Sequence, residues 1–521
     1  MAPTNPPCET IDLLVVGGGI NGAGIARDAA GRGLSVLLVE RDDLASHTSS
    51  ASTKLVHGGL RYLEYGEVRL VRESLIERER LMAIAPHIIW PLEFVLPQSA
   101  GSRPAWLIRA GLFVYDHLGG RKRLPATQTV RLATDARGEG LRHRGGRAFA
   151  YYDCWVDDAR LVVLNARDAA ERGARVCTRT AFVRAQRTAA GWSATLKDSA
   201  RERTVRARAI VNAAGPWVNQ VIGTVECARK SSHVRLVKGS HIVLPRLYPG
   251  AHAFLLQNPD GRVVFAIPWL DRFTLVGTTD EPWHGPPGEP AISAAETDYL
   301  LATVTRNFAR PVTAQDIAWT YSGIRPLYDD RAANASAVTR DYVLDLDADG
   351  GRAPLLSVFG GKITTYRKLA EHALEILAPI LGSSPTGWTS GAALPGGDLP
   401  DRDRRAFRET LKARHPALPA DLLARLADTY GTAAEDILHD VTEPGDLGQA
   451  FGAGLTAREL AWLADREWAR TAEDVLFRRT KLGLDIPPAD WPAIDQWLAD
   501  HTRTRAADPA PAGRIQSTAR R

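Results

Sequence analysis

The chain has 521 residues, 45% of them hydrophobic and 24% charged, with a formal net charge of +5 and a pI near 9.0. At roughly 100 to 200 residues per domain this predicts two to four domains with real cores, which excludes a small stapled scaffold and a disordered chain. Most of the excess charge lies at one end: residues 501–521 hold Arg503, Arg505, Arg514, Arg520 and Arg521 against a single acid, Asp508. A Pro/Ala/Arg-rich end without apolar periodicity reads as a solvated tail, so the charge is no argument for a nucleic-acid partner.

Cys8, Cys154, Cys177 and Cys227 lie far apart without CxxC or Cys/His ligand spacing, so neither a disulfide framework nor a metal site is expected. The first ten residues lack a signal-peptide pattern, and no run of about 18 apolar residues occurs, so the expectation is an intracellular chain that does not span a membrane.

In chain order, DLLVV (12–16) predicts a buried parallel strand, GGGINGAG follows as a turn, IARDAAGRG continues as a helix, and LSVLLVE (34–40) predicts a second strand ending in Glu40. Gly17, Gly19 and Gly22 fit GxGxxG in a strand-turn-helix-strand unit of the length a dinucleotide needs. Gly17 permits the tight turn, Gly19 lets the backbone approach a pyrophosphate at the helix N-terminus, and Gly22 allows close packing. Glu40 can accept from both ribose hydroxyls and would repel a 2′-phosphate, which disfavours NADP and leaves NAD and FAD open.

The run SHTSSASTKLVHGGLRYLE (46–64) favours FAD, because small hydroxylated residues let backbone lie against a large flat ligand. Ser49, Ser50, Ser52, Thr53, His57 and Gly58 are its candidate contacts. Residues 66–85 predict an amphipathic helix with Val68, Val71, Leu75 and Met82 on a core face, stopped by Pro86. RAGLFVYDHLGGRK (109–122) is too short to cross a membrane, and no amphipathic helix with a Trp/Phe/Leu face stands out as a lipid anchor.

RARAIVNAAGPWVN (206–219) predicts a strand ending at Ala214 and Gly215, and period-two patterning over 233–280, with an NPDG turn at 258–261, predicts an antiparallel sheet. DLDADG (345–350) opens like an EF-hand loop, but its twelfth position is Leu356, and a turn between two strands explains it better than calcium does. LLSVFGGKITTYRKLAEHA (355–373) predicts strand, turn and helix, with Gly360, Gly361, Lys362 and Thr364 at a second helix N-terminus suited to a reduced flavin's electron-rich edge. Beyond about 388 only helical periodicity remains.

Together GGGINGAGIARDAAGRGLSVLLVE, SSASTKLVHGGLRYLE, YYDCWVDDARLV, NAAGPWV, VKGSHIVLP, VGTTD, YSGIRPL, TRDY and SVFGGKITTYRKLAEHAL resemble the FAD-dependent aerobic glycerol-3-phosphate dehydrogenase family. The resemblance runs from residue 10 to about 505. It implies an α/β plus all-α fold: a discontinuous Rossmann-type FAD domain (1–90, 145–230 and 345–385), an antiparallel substrate domain as in amino-acid oxidases (91–144 and 231–344), a helical cap (388–505) and a basic tail (506–521).

It also implies non-covalent FAD, oxidation of sn-glycerol 3-phosphate to dihydroxyacetone phosphate, membrane quinone as acceptor, and peripheral attachment to the inner face of the cell membrane. A homodimer is compatible with it. Arg61 and Arg325 match the family's phosphate-binding arginines, with Tyr62, Arg340 and Thr279 as further substrate contacts and Asp280 beside Thr279. His241 is the preferred base and Lys362 the electrostatic stabiliser, the reverse assignment remaining open. The competing readings are a flavin amine or amino-acid oxidase, a glycerophosphate oxidase using O₂, and a non-catalytic flavoprotein held by its basic tail.

Overall fold

The computed structural model describes residues 10–98, 103–120, 123–226, 228, 234–328, 341–348 and 352–507. Two sheets carry the molecule. In the first, the parallel strands Leu355–Gly360, Glu202–Asn212, Thr10–Val16, Val36–Val39 and Arg175–Cys177 lie side by side in that order. Antiparallel strands close its flank: Tyr342–Asp347 on Leu355–Gly360, and the hairpin Ala181–Thr188/Gly191–Lys197 on Glu202–Asn212. Leu13, Leu14 and Val15 are wholly buried because helices cover one face of this sheet and the hairpin layer the other, as a parallel sheet requires.

The second sheet has ten strands, ordered Glu281–Pro282, Val234–Pro245, Phe273–Gly277, Val263–Trp269, Ala253–Gln257, Ile89–Pro97, Arg147–Val156 and Leu55–Val56, with Trp319–Tyr328 and Gln128–Arg131 branching from it. The NPDG turn joins Ala253–Gln257 to Val263–Trp269 as an antiparallel hairpin. Arg147–Val156 was expected within the flavin domain but pairs along its whole length with Ile89–Pro97 in this second sheet. The strand is buried on both faces, with Phe149, Tyr151 and Trp155 in one core and Ala148 and Ala150 in another, and sequence pattern alone does not tell which sheet such a strand joins.

Helix Val68–Ile84 forms as expected and buries Val71, Leu75 and Met82, but Val68 at its first position is 46% exposed, because the neighbouring elements reach only the turns beyond it. Beyond residue 400, helices Arg404–Arg414, Ala420–Tyr430, Ala457–Arg466 and Trp491–Ala507 pack around Leu411, Leu426, Leu460, Leu463, Ile494 and Leu498. The last helix takes in Arg503 and Arg505, inside the helical cap's expected bounds although their charge was counted with the chain's basic end; Arg505 pairs with Asp465 at 2.7 Å. The helical domain is keyed to the rest of the chain by ion pairs: Arg478 and Arg479 each reach Asp43, in the loop after Val36–Val39 of the first sheet, at 2.7 Å, and Lys481 reaches Asp157, just after Arg147–Val156 of the second, at 3.1 Å.

Candidate active site

A cavity of about 440 Å³ runs between the two sheets. One end is the turn after Thr10–Val16. Gly17 has φ +111°, and a Cβ there would stand 2.6 Å from the carbonyl oxygen of Ala213, so glycine is required on two counts. Gly19 precedes helix Ile20–Gly31 and lines the cavity without any side-chain cap, leaving the helix N-terminus open towards it. Gly22 lies off the cavity wall; a Cβ there would collide with the carbonyl of Gly17, so this glycine lets helix and turn pack.

Glu40 follows Val36–Val39 and lines the same end. Burial pushes its carboxyl up, against the N–H groups of Asp42 (2.9 Å) and Gly18 (2.7 Å), which donate to it. Asp42 in turn holds His47 at 2.8 Å, so the three neighbouring potential metal ligands Glu40, Asp42 and His47 are already engaged with backbone and with one another. Trp217 closes this end between His47, at 4.6 Å between ring centroids, and Arg41, 4.2 Å above its ring.

The hydroxylated run lies along the cavity, but its hydroxyls mainly serve the protein. Ser49 Oγ accepts from Ile20 N at 3.0 Å, Ser52 Oγ donates to Asp158 at 2.7 Å, and Thr48 Oγ1 donates to the carbonyl of Ile324 at 2.6 Å. The polar chain thus folds itself, and its backbone forms the wall. Ser50 is turned away, its hydroxyl on the carbonyl of His47, and Gly58 is a packing glycine whose Cβ would strike Leu75 and Tyr115. His57 and Thr364 do line the cavity and meet through His57 N and Thr364 Oγ1 at 3.3 Å. Ala214, Gly215, Gly360 and Gly361 complete this wall, the last three at positive φ.

At the other end, strands Val234–Pro245 and Trp319–Tyr328 run antiparallel with Gly239 opposite Gly323 and His241 opposite Tyr321. Alternation therefore turns Gly239, His241, Tyr321, Gly323 and Arg325 to one face. His241 is buried, stacked on Tyr321 at 4.6 Å, with Nε2 3.0 Å from Thr53 Oγ1. Burial, then the charges of Lys54 and Arg325, hold its imidazole well below its ordinary value, so it is neutral at neutral pH. Arg325 donates through Nη2 to the carbonyl of Thr279 at 2.8 Å and pairs with Asp280 at 2.8 Å. Lys362 stands 3.9 Å over the ring of Tyr62, and both line the cavity.

The structure therefore brings His241, Arg325, Lys362, Tyr62 and Thr53 to one cavity. It does not bring Arg61 there: that side chain is half-buried on the short helix Leu60–Tyr65, which turns Tyr62 inward instead. Thr279 also falls behind the wall, since its hydroxyl accepts from Ser240 N at 2.9 Å and donates to Glu296 at 2.8 Å. Burial works to raise the Glu296 carboxyl, but Lys238, Ser293 N–H and the Thr279 and Ser240 hydroxyls hold it down at about 2. Thr278 takes the cavity position instead. Arg340 lies outside the described residues.

Three features were not read from the sequence. Asn21 lines the turn, donates to the carbonyl of Gly360 at 3.3 Å, and keeps Oδ1 buried with no partner among the described residues. Lys54 is buried at φ +59° with its ammonium 2.9 Å from Asp158, and this pair pins the run between Ser52 and Thr53. Gly239 vacates the place taken by the Arg325 guanidinium. Only the last had a visible signal, the glycine two residues before His241.

These residues fit FAD. The bare Gly19 cradle, where a Cβ would approach Ser49 Oγ to 3.1 Å, the orphaned Asn21 oxygen and the half-buried carboxyl of Glu40 form a dinucleotide end, and the Gly360–Lys362 turn faces the same space. The family of FAD-dependent oxidoreductases (DAO) matches residues 12–367, and the C-terminal domain of alpha-glycerophosphate oxidase matches 388–496. A D-erythritol 1-phosphate dehydrogenase of Brucella abortus is 52% identical over 94% of this chain and 98% of its own. A glycerol-3-phosphate dehydrogenase of Pseudomonas aeruginosa is 53% identical over 95% of this chain and 96% of its own. The crystal structure of the Bacillus halodurans glycerol-3-phosphate dehydrogenase complexed with FAD superposes with a TM-score of 0.75 at 27% identity, covering 96% of this chain and 94% of that one. The chain belongs to the FAD-dependent oxidoreductase family, with FAD as its cofactor and the helical domain of the glycerophosphate oxidases at its C-terminus.

Proposed function

We propose that the protein oxidises sn-glycerol 3-phosphate to dihydroxyacetone phosphate and passes the electrons to membrane quinone from the inner face of the cell membrane. The observation that carries this reading is Arg325, a guanidinium fixed on the wall of the FAD cavity by Thr279 and Asp280, with His241 and Lys362 lining the same cavity. When bound, FAD supplies the acceptor for the hydride leaving C2 of the substrate. Arg325 offers the planar fork that a phosphate dianion prefers. Lys362 adds positive charge and stabilises the alkoxide that develops at C2.

His241 is neutral and would accept the C2 hydroxyl proton at Nε2 once the substrate hydroxyl displaces the Thr53 hydroxyl, which lies 3.0 Å from that nitrogen. Burial and two cations make it a weak base in the free protein. A bound dianion offsets those cations and raises its basicity, so the base strengthens when substrate is present. Strand Trp319–Tyr328 helps exclude water by stacking Tyr321 on the imidazole while its hydroxyl donates to the carbonyl of Ser52 at 2.8 Å.

One observation favours a second substrate, a four-carbon polyol phosphate: the chain is as similar to the erythritol-phosphate enzyme as to the glycerol-phosphate one. The phosphate clamp and base would be unchanged and only chain length would differ. Comparing kcat/KM for sn-glycerol 3-phosphate, D-erythritol 1-phosphate and glycerol with a soluble dye acceptor tests the assignment. We expect glycerol 3-phosphate to lead, and a preference for erythritol 1-phosphate would replace the first reading by the second. Peroxide formation exceeding quinone reduction would overturn the acceptor.

A further inference from the structure

His241 is stacked on Tyr321 at 4.6 Å, and Tyr321 belongs to a strand with one partner among the described residues: Trp319–Tyr328 pairs with Val234–Pro245 alone. Side chains therefore hold the free edge at the strand's beginning. Alternation puts Trp319 on the same face as Tyr321, and its indole lies 5.1 Å from the Tyr321 ring, 5.8 Å from Trp269 and 5.1 Å from Phe477. Tyr321 and Trp269 come from the second sheet itself. Phe477 comes from the helical domain.

That domain presents Phe477 on an irregular turn. Asp474–Arg479 is wound as a π-helix, with Thr480 N donating to the carbonyl of Val475, five residues back, at 2.9 Å. Lys481 follows at φ +63°, a left-handed conformation that lysine adopts only where its surroundings impose it. Its ammonium donates to the carbonyl of Phe477 at 2.8 Å and pairs with Asp157, while Arg478 and Arg479 grip Asp43. Gly483 leaves room for the ring, since a Cβ there would fall well inside 3.0 Å of three ring carbons, and Trp491 backs the ring at 5.6 Å. Turns of this kind, irregular yet fixed by many contacts, gather at functional positions.

We propose that Phe477 is a positioning residue for His241: by closing the row of rings Phe477, Trp319 and Tyr321, the helical domain keeps the imidazole stacked and shielded from water. The domain is thereby a component of the active site, a conclusion that rests on the reading of His241 as the base. Its hold reaches the other side of the imidazole as well. Asp157, the partner of Lys481, adjoins Asp158, whose carboxylate accepts from Ser52 N at 3.2 Å and from the Lys54 ammonium at 2.9 Å, on either side of Thr53 at His241 Nε2. A small displacement of a base costs much of its rate, and an imidazole opened to water regains basicity.

Steady-state kinetics of the FAD-loaded full-length protein across pH, with sn-glycerol 3-phosphate and a soluble dye, tests the proposal. The charged and titratable groups around His241 are Lys54, paired with Asp158, Arg325, paired with Asp280, and Tyr321, with Lys362 on the same cavity; the Phe477 and Gly483 variants change none of them. Phe477→Ala should lower kcat by about 10-fold or more with KM and FAD content little changed, because Thr279 and Asp280 still fix Arg325. It should also move the acid limb of kcat/KM upward, because water at the imidazole relieves the burial that depresses it. Gly483→Ala, which keeps the ring but pushes it aside, should act in the same direction, and Phe477→Trp, which keeps an aromatic face, should restore most of the rate.

Leu411→Ala, in the core of the helical domain, should lower Tm without moving kcat or the acid limb. A kcat and an acid limb unmoved in Phe477→Ala and Gly483→Ala, or moved as far in Leu411→Ala, overturn the proposal. An unaltered kcat in His241→Gln would instead strike the reading of His241 as the base, and the proposal with it.

Discussion

Gly239 and Arg325 share one face of two paired strands, and a Cβ built on Gly239 would fall well inside 3.0 Å of the Arg325 guanidinium. The arginine's position on the cavity wall thus depends on a side chain that is not there. Gly239→Ala should displace the guanidinium without removing its charge. We expect KM for glycerol 3-phosphate to rise by on the order of 10-fold or more with FAD content unchanged, measured by steady-state kinetics and flavin absorbance. An unaltered KM would mean that the guanidinium is not the phosphate's partner where it now stands.

Arg325→Ala removes the clamp itself. A charged hydrogen bond is worth ~1.5 to 3 kcal/mol, so KM for the phosphorylated substrate should rise by about 10- to 10²-fold. Arg325→Lys should recover only part of this, because an ammonium lacks the planar fork. Arg61→Ala should change KM much less, since Arg61 is off the cavity wall.

His241 must be neutral to accept a proton, and its folded-state pKa lies well below 6.5 through burial and the charges of Lys54 and Arg325. The pH profile of kcat/KM reports the free enzyme, so it should stay level through neutrality and fall only well below pH 6.5. Arg325→Ala takes away one depressing charge and should move that acid limb upward. A wild-type limb at or above the ordinary imidazole value, once the substrate phosphate's own second ionisation at about pH 6 is accounted for, would remove His241 from the role of base.

His87 gives a stability test away from the cavity. Its ring is fully buried, neither nitrogen has a partner among the described residues, and burial followed by Arg160, Arg167 and Arg404 lowers its pKa from 6.5 to about 3. Between those values the unfolded chain binds a proton that the folded chain does not. Its contribution is therefore present above the unfolded pKa and is lost as pH falls, at about 1.4 kcal/mol per pH unit for one such site. His87→Leu should flatten the fall of Tm between about pH 6 and pH 4; an identical slope would mean that His87 is protonated in the folded protein.

The dinucleotide half of the site was legible because its rules are local. Gly17, Gly19 and Glu40 stand where a strand-turn-helix unit dictates, and the structure places all three on the cavity. The substrate half depends on which way a side chain turns across a sheet. Arg61 and Tyr62 are adjacent in sequence, and only the tight turn at Gly59, φ +78°, decides that Tyr62 faces the cavity. Thr278 and Thr279 differ in the same way, by the alternation that hands Thr279 to Glu296.

Anaerobic addition of substrate to the FAD-loaded protein tests the central claim most directly. We predict that sn-glycerol 3-phosphate bleaches the flavin's visible absorption band fully and rapidly while glycerol, which lacks the group that Arg325 would hold, does so far more slowly. A band unchanged by glycerol 3-phosphate, or bleached equally well by glycerol, would contradict the account.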